Sequence, residues 1–263
     1  MWAGLGILYV VCLVCCLIGF YKFVYFLSVG YGFSVSGCGI AIMIMDKFSH
    51  LEVILIGLIL VAYGIRLGGF LLWREIKSAA YKKTLAEASG EKPMPIFVKA
   101  TIWLCVGLMY VAQVSPVYFR VYNGEGLGVT GYVGAVVMLI ALIIESIADK
   151  QKSAAKAINP KRFCDTGLYK IVRCPNYLGE MLFWTGVVIT GFGALNGWLQ
   201  WVIAIVGYIL IIYVMLSGAK RLEIRQNKNY GEDPEYQAYV KKTPIVLPLV
   251  PLYHLENVKG IVV

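Results

Sequence analysis

An all-α integral membrane protein is the fold class this sequence predicts, with about seven transmembrane helices, the N-terminus outside and the C-terminus in the cytosol. Composition is the first of three observations behind that expectation. Of the 263 residues, 59% are hydrophobic and only 15% charged, and mean hydropathy is +0.73, well above a soluble domain. Run length is the second. A helix needs about 20 apolar residues to cross the hydrocarbon, and about seven stretches qualify, at roughly 3–20, 24–45, 51–73, 97–118, 127–148, 177–194 and 197–217. They are long and continuous, which argues against the short alternating strands of a β-barrel. The third is the placement of basic residues. If the odd-to-even loops face the cytosol, that side holds Lys22, then Arg74, Lys77, Lys82, Lys83, Lys92 and Lys99, then Lys150 to Arg173, then Lys220 to Lys259. Only Lys47 and Arg120 lie opposite. This asymmetry is the positive-inside pattern.

The first span has no basic segment before it and no small-residue cleavage site after it, so it is expected to be a retained helix and not a removed signal peptide. Its Cys12, Cys15 and Cys16 sit in an unbroken apolar helix without His or acid nearby, where small apolar packing explains them better than metal or redox chemistry. The second span carries Tyr31 within SVGYGFSVSG, whose small residues suit helix packing. In the third, VAYGIRLGGFLLWRE places Arg66 deep in the span, where an arginine normally faces a cavity or a carboxylate. Tyr63 lies three residues earlier on the same face, and Gly64, Gly68 and Gly69 permit close helix contact. The fourth span is read from its apolar run.

The fifth span ends IIESIADKQKSAAKA, which puts Glu145, Asp149, Lys152 and Lys156 on one helix face at steps of four, three and four. That face is either a solvated, salt-bridged helix end or a site in which carboxylates take ribose hydroxyls and lysines take phosphate. After a short basic loop comes GLYKIVRCPNYLGE at 167–180, a polar island whose Arg173, Asn176 and Glu180 mark a pocket in a membrane domain. Pro175 suits the first turn of the sixth helix, where its missing N–H would be unpaired anyway. A helix start flanked by Arg162 and Arg173 favours an anion, and Asn176 can both donate to and accept from an amide. Past the seventh span, Arg221, Glu223 and Arg225 form a charged cluster, and Tyr236 and Tyr239 share a helical face behind Pro234. This stretch is either an interfacial helix among lipid headgroups or a cover over a ligand.

The net charge of +9 does not point to nucleic acid, because basic loops beside spans are topology signals. His50 and His254 are the only histidines, no zinc-ligand spacing occurs, and no metal is expected. Without repeats, low-complexity tracts or a soluble portion, residues 1–263 are expected to form a single membrane domain.

Seven pieces of sequence carry a family resemblance: ESIADKQK at 145–152, GLYKIVRCPNYLGE at 167–180, the later LE, EYQAY and TPIVLP, SVGYG at 28–32 and RLGGFLLWR at 66–74. Together they resemble the membrane-embedded steroid 5α-reductase family and its bacterial branch, the DUF1295 group. The resemblance implies a seven-helix enzyme that binds NADPH from the cytosolic side and reduces the carbon–carbon double bond of an enone, as in a 3-oxo-Δ4 steroid. The first helices, 1–120, would hold the substrate and 127–250 the cofactor. By its place in AYGIR, Tyr63 looks like the family's carbonyl-binding tyrosine, with Arg66 supporting it and Tyr31 a further candidate. Asp149, Arg162 and Asn176 are carried over to the cofactor, with Glu180 nearer the substrate. Glu145 stands where vertebrate enzymes have Asn, and Arg221 where they have His. Arg173 and Tyr236 follow from the local pattern, and Lys152, Lys156 and Lys99 are candidates for phosphate.

The chain departs from the family at Cys174, where the usual residue is His, and in lacking a carboxylate at the depth of the vertebrate Gln-Glu pair. Isoprenylcysteine carboxyl methyltransferases share the R-x-P-x-Y-x-G core and the late Y-x-x-Y stretch, so an S-adenosylmethionine-dependent membrane methyltransferase is the alternative. A receptor or transporter fits less well, because the polar residues cluster on one side and no matched broken helices occur. The expected partners are the bilayer and an apolar small molecule. The expected location is the inner membrane of a bacterium or the endoplasmic reticulum of a eukaryote.

Overall fold

The computed structural model describes residues 1–77, 82, 94–126 and 128–262, and these form helices and loops without a strand. Among the described residues eight α-helices follow in order: α1 Trp2–Cys16, α2 Val29–Met45, α3 Leu51–Lys77, α4 Ile96–Asn123, α5 Gly128–Ile158, α6 Pro175–Gly191, α7 Gly197–Tyr230 and α8 Pro234–Lys242. Short 3-10 turns at Leu17–Phe20 and Phe23–Leu27 extend α1 and lead into α2. Lys83 and Lys92 of the basic-residue pattern, and Leu127 at the start of the fifth expected span, lie outside the described residues.

Six segments are long and apolar enough to cross a membrane: Trp2–Phe20, Phe23–Met45, Leu51–Lys77, Ile96–Asn123, Gly128–Ile158 and Gly197–Tyr230. The protein is a multi-pass membrane protein of the expected all-α class. The seventh expected span is α6, which at 17 residues is shorter than the rest. Two helices run further than their apolar stretches. At 1.5 Å per residue, the 34 residues of α7 extend about 51 Å and the 31 of α5 about 46 Å, against roughly 30 Å of hydrocarbon. Their C-terminal turns therefore project from the membrane, and Ala, Lys, Gln and Glu keep them helical there.

The chain packs as two compact units, Met1–Ala135 with Val187–Tyr208, and Val136–Gly186 with Ile209–Val263. The division runs through α5, α6 and α7.

In the first unit, glycines set the spacing of α2 and α3. A Cβ on Gly32 would lie 2.8 Å from the carbonyl oxygen of Gly64, and one on Gly39 would lie 2.8 Å from that of Gly57. Without side chains at these points the two backbones meet directly, as small residues allow in membrane helix pairs. The α1 cysteines pack into the same bundle: the sulfurs of Cys12 and Cys38 are 3.4 Å apart, and Cys16 lies 3.4 Å from the Ser34 hydroxyl. Helix α4 is tied down by Trp103 donating to the Leu13 carbonyl (2.8 Å), Tyr110 to that of Phe26 (2.7 Å) and Tyr118 to that of Met1 (2.8 Å). Pro116 inside α4 has no N–H to give the Ala112 carbonyl, and the Ser115 hydroxyl donates there instead at 2.8 Å. Buried Arg120, counted by sequence only as a topology charge, donates to the carbonyls of Gly126, Thr190 and Phe192. It thereby satisfies carbonyls at the end of α6, where a cation is favoured.

In the second unit, α6 meets α5 at Gly179, whose missing side chain leaves room for the Glu145 side chain and the Ala141 carbonyl. The 167–170 turn starts at Gly167 with φ +60, a left-handed backbone that glycine adopts without cost, and Gln151 accepts from the Leu168 N–H at 2.8 Å. The N–H groups of Arg173 and Cys174 then pair with the carbonyls of Pro244 and Ile245, both at 2.9 Å. Helix α8 opens with Asp233 accepting from Glu235 N–H at 2.9 Å, has Pro234 in its first turn and ends on Lys241 and Lys242, a start and stop that match the helix dipole.

Candidate functional site

The second unit holds most of the residues expected to bind a cofactor. Glu145 is buried against Gly179, on the α6 turn between Asn176 and Glu180. Asp149 is half-buried one turn further along α5. Glu180 is buried and accepts from the indole N–H of Trp184 at 3.1 Å. The oxygen Oδ1 of Asn176 is buried without a hydrogen-bond partner. Cys174, at the position where the resemblance leads one to expect a histidine, lies in an apolar cluster with Met181, Ala219, Leu222, Ile245, Val246 and Leu255. Burial pushes its thiol up to about 12. It is a packing residue and not a proton carrier.

Arg173 is fully buried, and its partner Glu223 was legible in the sequence only as part of a charged cluster. Nη2 donates to Glu223 Oε1 at 2.9 Å and to the Tyr253 carbonyl. The other Glu223 oxygen accepts the N–H groups of Leu255 and Glu256 at 2.7 and 2.9 Å, and His254 Nδ1 lies 3.0 Å from Oε1. A buried ion pair is costly to desolvate, and these extra bonds are what make it tenable. Nε and Nη1 of Arg173 are buried without hydrogen-bond partners, so the guanidinium has donors in hand for an oxygen ligand.

A cavity of about 70 Å³ lies nearby in the same unit, lined by Lys152 and Lys156 of α5, Phe163, Cys164, Tyr169, and Leu222, Arg225, Gln226, Asn229 and Tyr230 of α7. The α7 polar residues follow Leu222 at three, four and seven positions, which is one helix face. That face is inconspicuous in the sequence, where the run resembles headgroup-level charge. Three cations and no carboxylate line this small space, so it suits an anionic group of phosphate size. Within it, Lys156 has its three N–H bonds directed to Pro160 O (3.0 Å), Arg162 O (2.6 Å) and Tyr230 Oη (2.8 Å). It contributes charge and anchors the loop that follows α5.

The rest of the expected cofactor set is dispersed. Arg162 is exposed, pairs with Asp165 at 2.9 Å and with Glu235, and covers the Phe163 ring; those two carboxylates, Glu235 first, raise its pKa further. Phe163 also stacks on Tyr239 and meets the Tyr236 ring edge-on. Tyr236 donates to Asn227 Oδ1 at 2.9 Å, and burial pushes its phenol up to about 12. Arg221 is exposed on α7.

The substrate-side candidates belong to the first unit. The hydroxyls of Tyr31 and Tyr63 are 3.0 Å apart, both rings are buried, and Tyr31 packs on Tyr110 at 4.9 Å between centroids. The Gly32–Gly64 approach, one residue along each helix, sets this register. Arg66 is half-buried one turn beyond Tyr63. Lys99 donates to the Phe20 carbonyl at 3.2 Å. A group unread by sequence sits on the same unit: buried Glu75 takes Lys22 and, at 2.6 Å, the Tyr25 hydroxyl. No group of three or more His, Cys, Asp or Glu suited to a metal occurs among the described residues.

A family model for DUF1295, described as a protein of unknown function, matches residues 14–243. The chain belongs to the DUF1295 family. The matched stretch contains both the Tyr31–Tyr63 pair and every residue lining the cationic cavity. It ends before Tyr253, Leu255 and Glu256, the DUF1295 member's anchors for Arg173 and Glu223. No curated protein and no solved structure matches this DUF1295 chain.

Proposed function

We propose that this DUF1295 protein is an NADPH-dependent reductase of the carbon–carbon double bond of an apolar enone, such as a 3-oxo-Δ4 steroid, working from the cytosolic face of its membrane. The observation that carries the proposal is the cavity where Lys152, Lys156 and Arg225 converge without a carboxylate. NADPH brings three phosphate groups, whereas S-adenosylmethionine brings none and is itself a sulfonium cation. The kinship of DUF1295 with steroid 5α-reductases supports the same choice.

Each residue has a role in this scheme. Lys152 and Arg225 hold phosphate through charge-assisted bonds. Glu145 and Asp149 accept from ribose hydroxyls, and Asn176 accepts through Oδ1 from an amide N–H. Arg173 donates through its side nitrogens, with Glu223 balancing its charge. Arg162 and Tyr236 flank Phe163, a wall of the cavity, Arg221 would reach the cofactor from outside it, and Glu180 would lie toward the substrate. NADPH, when bound, would supply a hydride for the β-carbon. The π electrons shift onto the ketone oxygen as this happens, and Tyr63 donates a hydrogen bond to that oxygen, where charge develops. Tyr31 orients the Tyr63 hydroxyl and Arg66 supports its position. A proton from water would then reach the α-carbon, the electron pair returning from the enolate oxygen to form the new C–H bond and restore the ketone.

Nucleotide stabilisation of the detergent-purified protein tests this directly. At a hundredfold excess over Kd a ligand adds about 2.7 kcal/mol to stability. NADPH is expected to raise the melting temperature and S-adenosylmethionine to leave it unchanged; the reverse pattern would replace the reductase with a methyltransferase.

A further inference from the structure

Gln113 is the polar residue of α4 that the packing does not explain. It falls on the stripe Val106, Tyr110, Gln113, Val117 and Arg120, at steps of four, three, four and three, all of them buried. Its side chain is in the core at 2% exposure, and neither Nε2 nor Oε1 has a hydrogen-bond partner. Other polar side chains of this helix close their bonds internally, Ser115 on Ala112 and Arg120 on Gly126, Thr190 and Phe192. Buried amides ordinarily pair, and a bundle this apolar offers few substitutes. One turn earlier on the stripe stands Tyr110, which packs on Tyr31, whose hydroxyl meets Tyr63.

We infer that Gln113 binds the hydroxyl group of an otherwise apolar ligand held in the first unit. The chemistry follows from both amide atoms lacking partners. A ketone or ether oxygen accepts only, and would satisfy Nε2 while leaving Oε1 unmet. A hydroxyl both donates and accepts, so one such group takes the Nε2 hydrogen and gives its own to Oε1. The ligand class is therefore a hydroxylated lipid, and Gln113 determines specificity for its polar end. That the same ligand carries an enone rests on the reductase proposal; recognition of its hydroxyl does not.

Two steroids separate these questions. Testosterone carries the enone and a distant hydroxyl, and androst-4-en-3-one carries the same enone without the hydroxyl. Binding of each to the full chain in detergent, followed by tryptophan fluorescence without NADPH, is expected to favour testosterone by at least about tenfold, as sites built to pair a hydroxyl do. Gln113→Leu is expected to erase that preference while binding androst-4-en-3-one within about twofold of wild type. It should also melt no lower than wild type when ligand-free, because it removes an unpaired buried amide; Gln113→Met provides the same comparison if Leu packs poorly. A preference that survives in both variants, its absence in the wild type, or a marked fall in ligand-free melting temperature would overturn the inference. Failure of NADPH-dependent turnover with the hydroxyl preference intact would count against the reductase proposal and leave this one standing.

Discussion

The hydroxyls of Tyr31 and Tyr63 lie 3.0 Å apart in the core of the first unit. Between two hydroxyls one donates and the other accepts, and the acceptor keeps its own proton for donation. With Tyr31 as donor, Tyr63 is a polarised acid aimed by its neighbour. Tyr63→Phe is thus expected to lower kcat by about a hundredfold, the usual cost of one oxyanion donor, with the NADPH Kd unchanged. Tyr31→Phe should cost less, because it removes only the orienting bond. Steady-state kinetics with an enone, alongside nucleotide titration, checks both; equal turnover in Tyr63→Phe and wild type would remove Tyr63 from the mechanism.

The close approach of α2 and α3 holds that pair in register. Gly64→Ala would drive a methyl into the Gly32 carbonyl and the Ser36 hydroxyl. Overpacking of this kind costs roughly 1–3 kcal/mol, and a lowered melting temperature with a larger loss of kcat than of NADPH affinity is the expected signature.

Arg225→Ala and Lys152→Ala remove cations from the cavity without touching its apolar walls. A charge-assisted bond contributes about 1.5–3 kcal/mol, so each is expected to weaken NADPH binding by roughly tenfold or more. The wild-type affinity should also fall with salt more steeply than that of either variant. Isothermal titration at two ionic strengths measures both effects.

Arg173 and Glu223 stand or fall together. Glu223→Ala leaves a buried guanidinium without a counter-ion and is expected to cost about 3–5 kcal/mol, whereas the double replacement Arg173→Met/Glu223→Leu should be much milder. Thermal unfolding of the single and double variants tests the coupling.

The Cys174 thiol gives a pH prediction. Its ordinary value is about 8.5 in an unfolded chain, and in the fold it is pushed up to about 12. The raised value means that the folded state keeps a proton the unfolded state releases. The stability this reflects is complete below pH 8.5 and is lost as pH climbs from there toward 12. At pH 8 the folded protein should leave Cys174 unalkylated, whereas the protein unfolded in denaturant should react there, as peptide mass mapping would show.

Long apolar runs made the membrane helices legible, but hydropathy alone could not follow α5 and α7 once charges entered, although the backbone stayed helical to Ile158 and Tyr230. The Glu145–Lys156 face and the 167–180 segment were legible because polar residues are conspicuous in an apolar chain. Tyr31 and Tyr63 were each visible, yet their pairing depends on the Gly32–Gly64 contact between helices. Glu223 was hidden for a similar reason, since its partners Leu255 and Glu256 lie more than 30 positions away. Lys156 shows the converse: a lysine well spaced for phosphate has its donors bonded to its own loop and to Tyr230.

The central claim is reduction of an enone by NADPH, and the most direct measurement is the absorbance of a 3-oxo-Δ4 steroid incubated with the purified protein. Loss of enone absorbance in step with NADPH oxidation, slowed about a hundredfold by Tyr63→Phe, is the predicted result. Unchanged enone absorbance with NADPH bound, or methyl transfer from S-adenosylmethionine to an apolar acceptor, would contradict it.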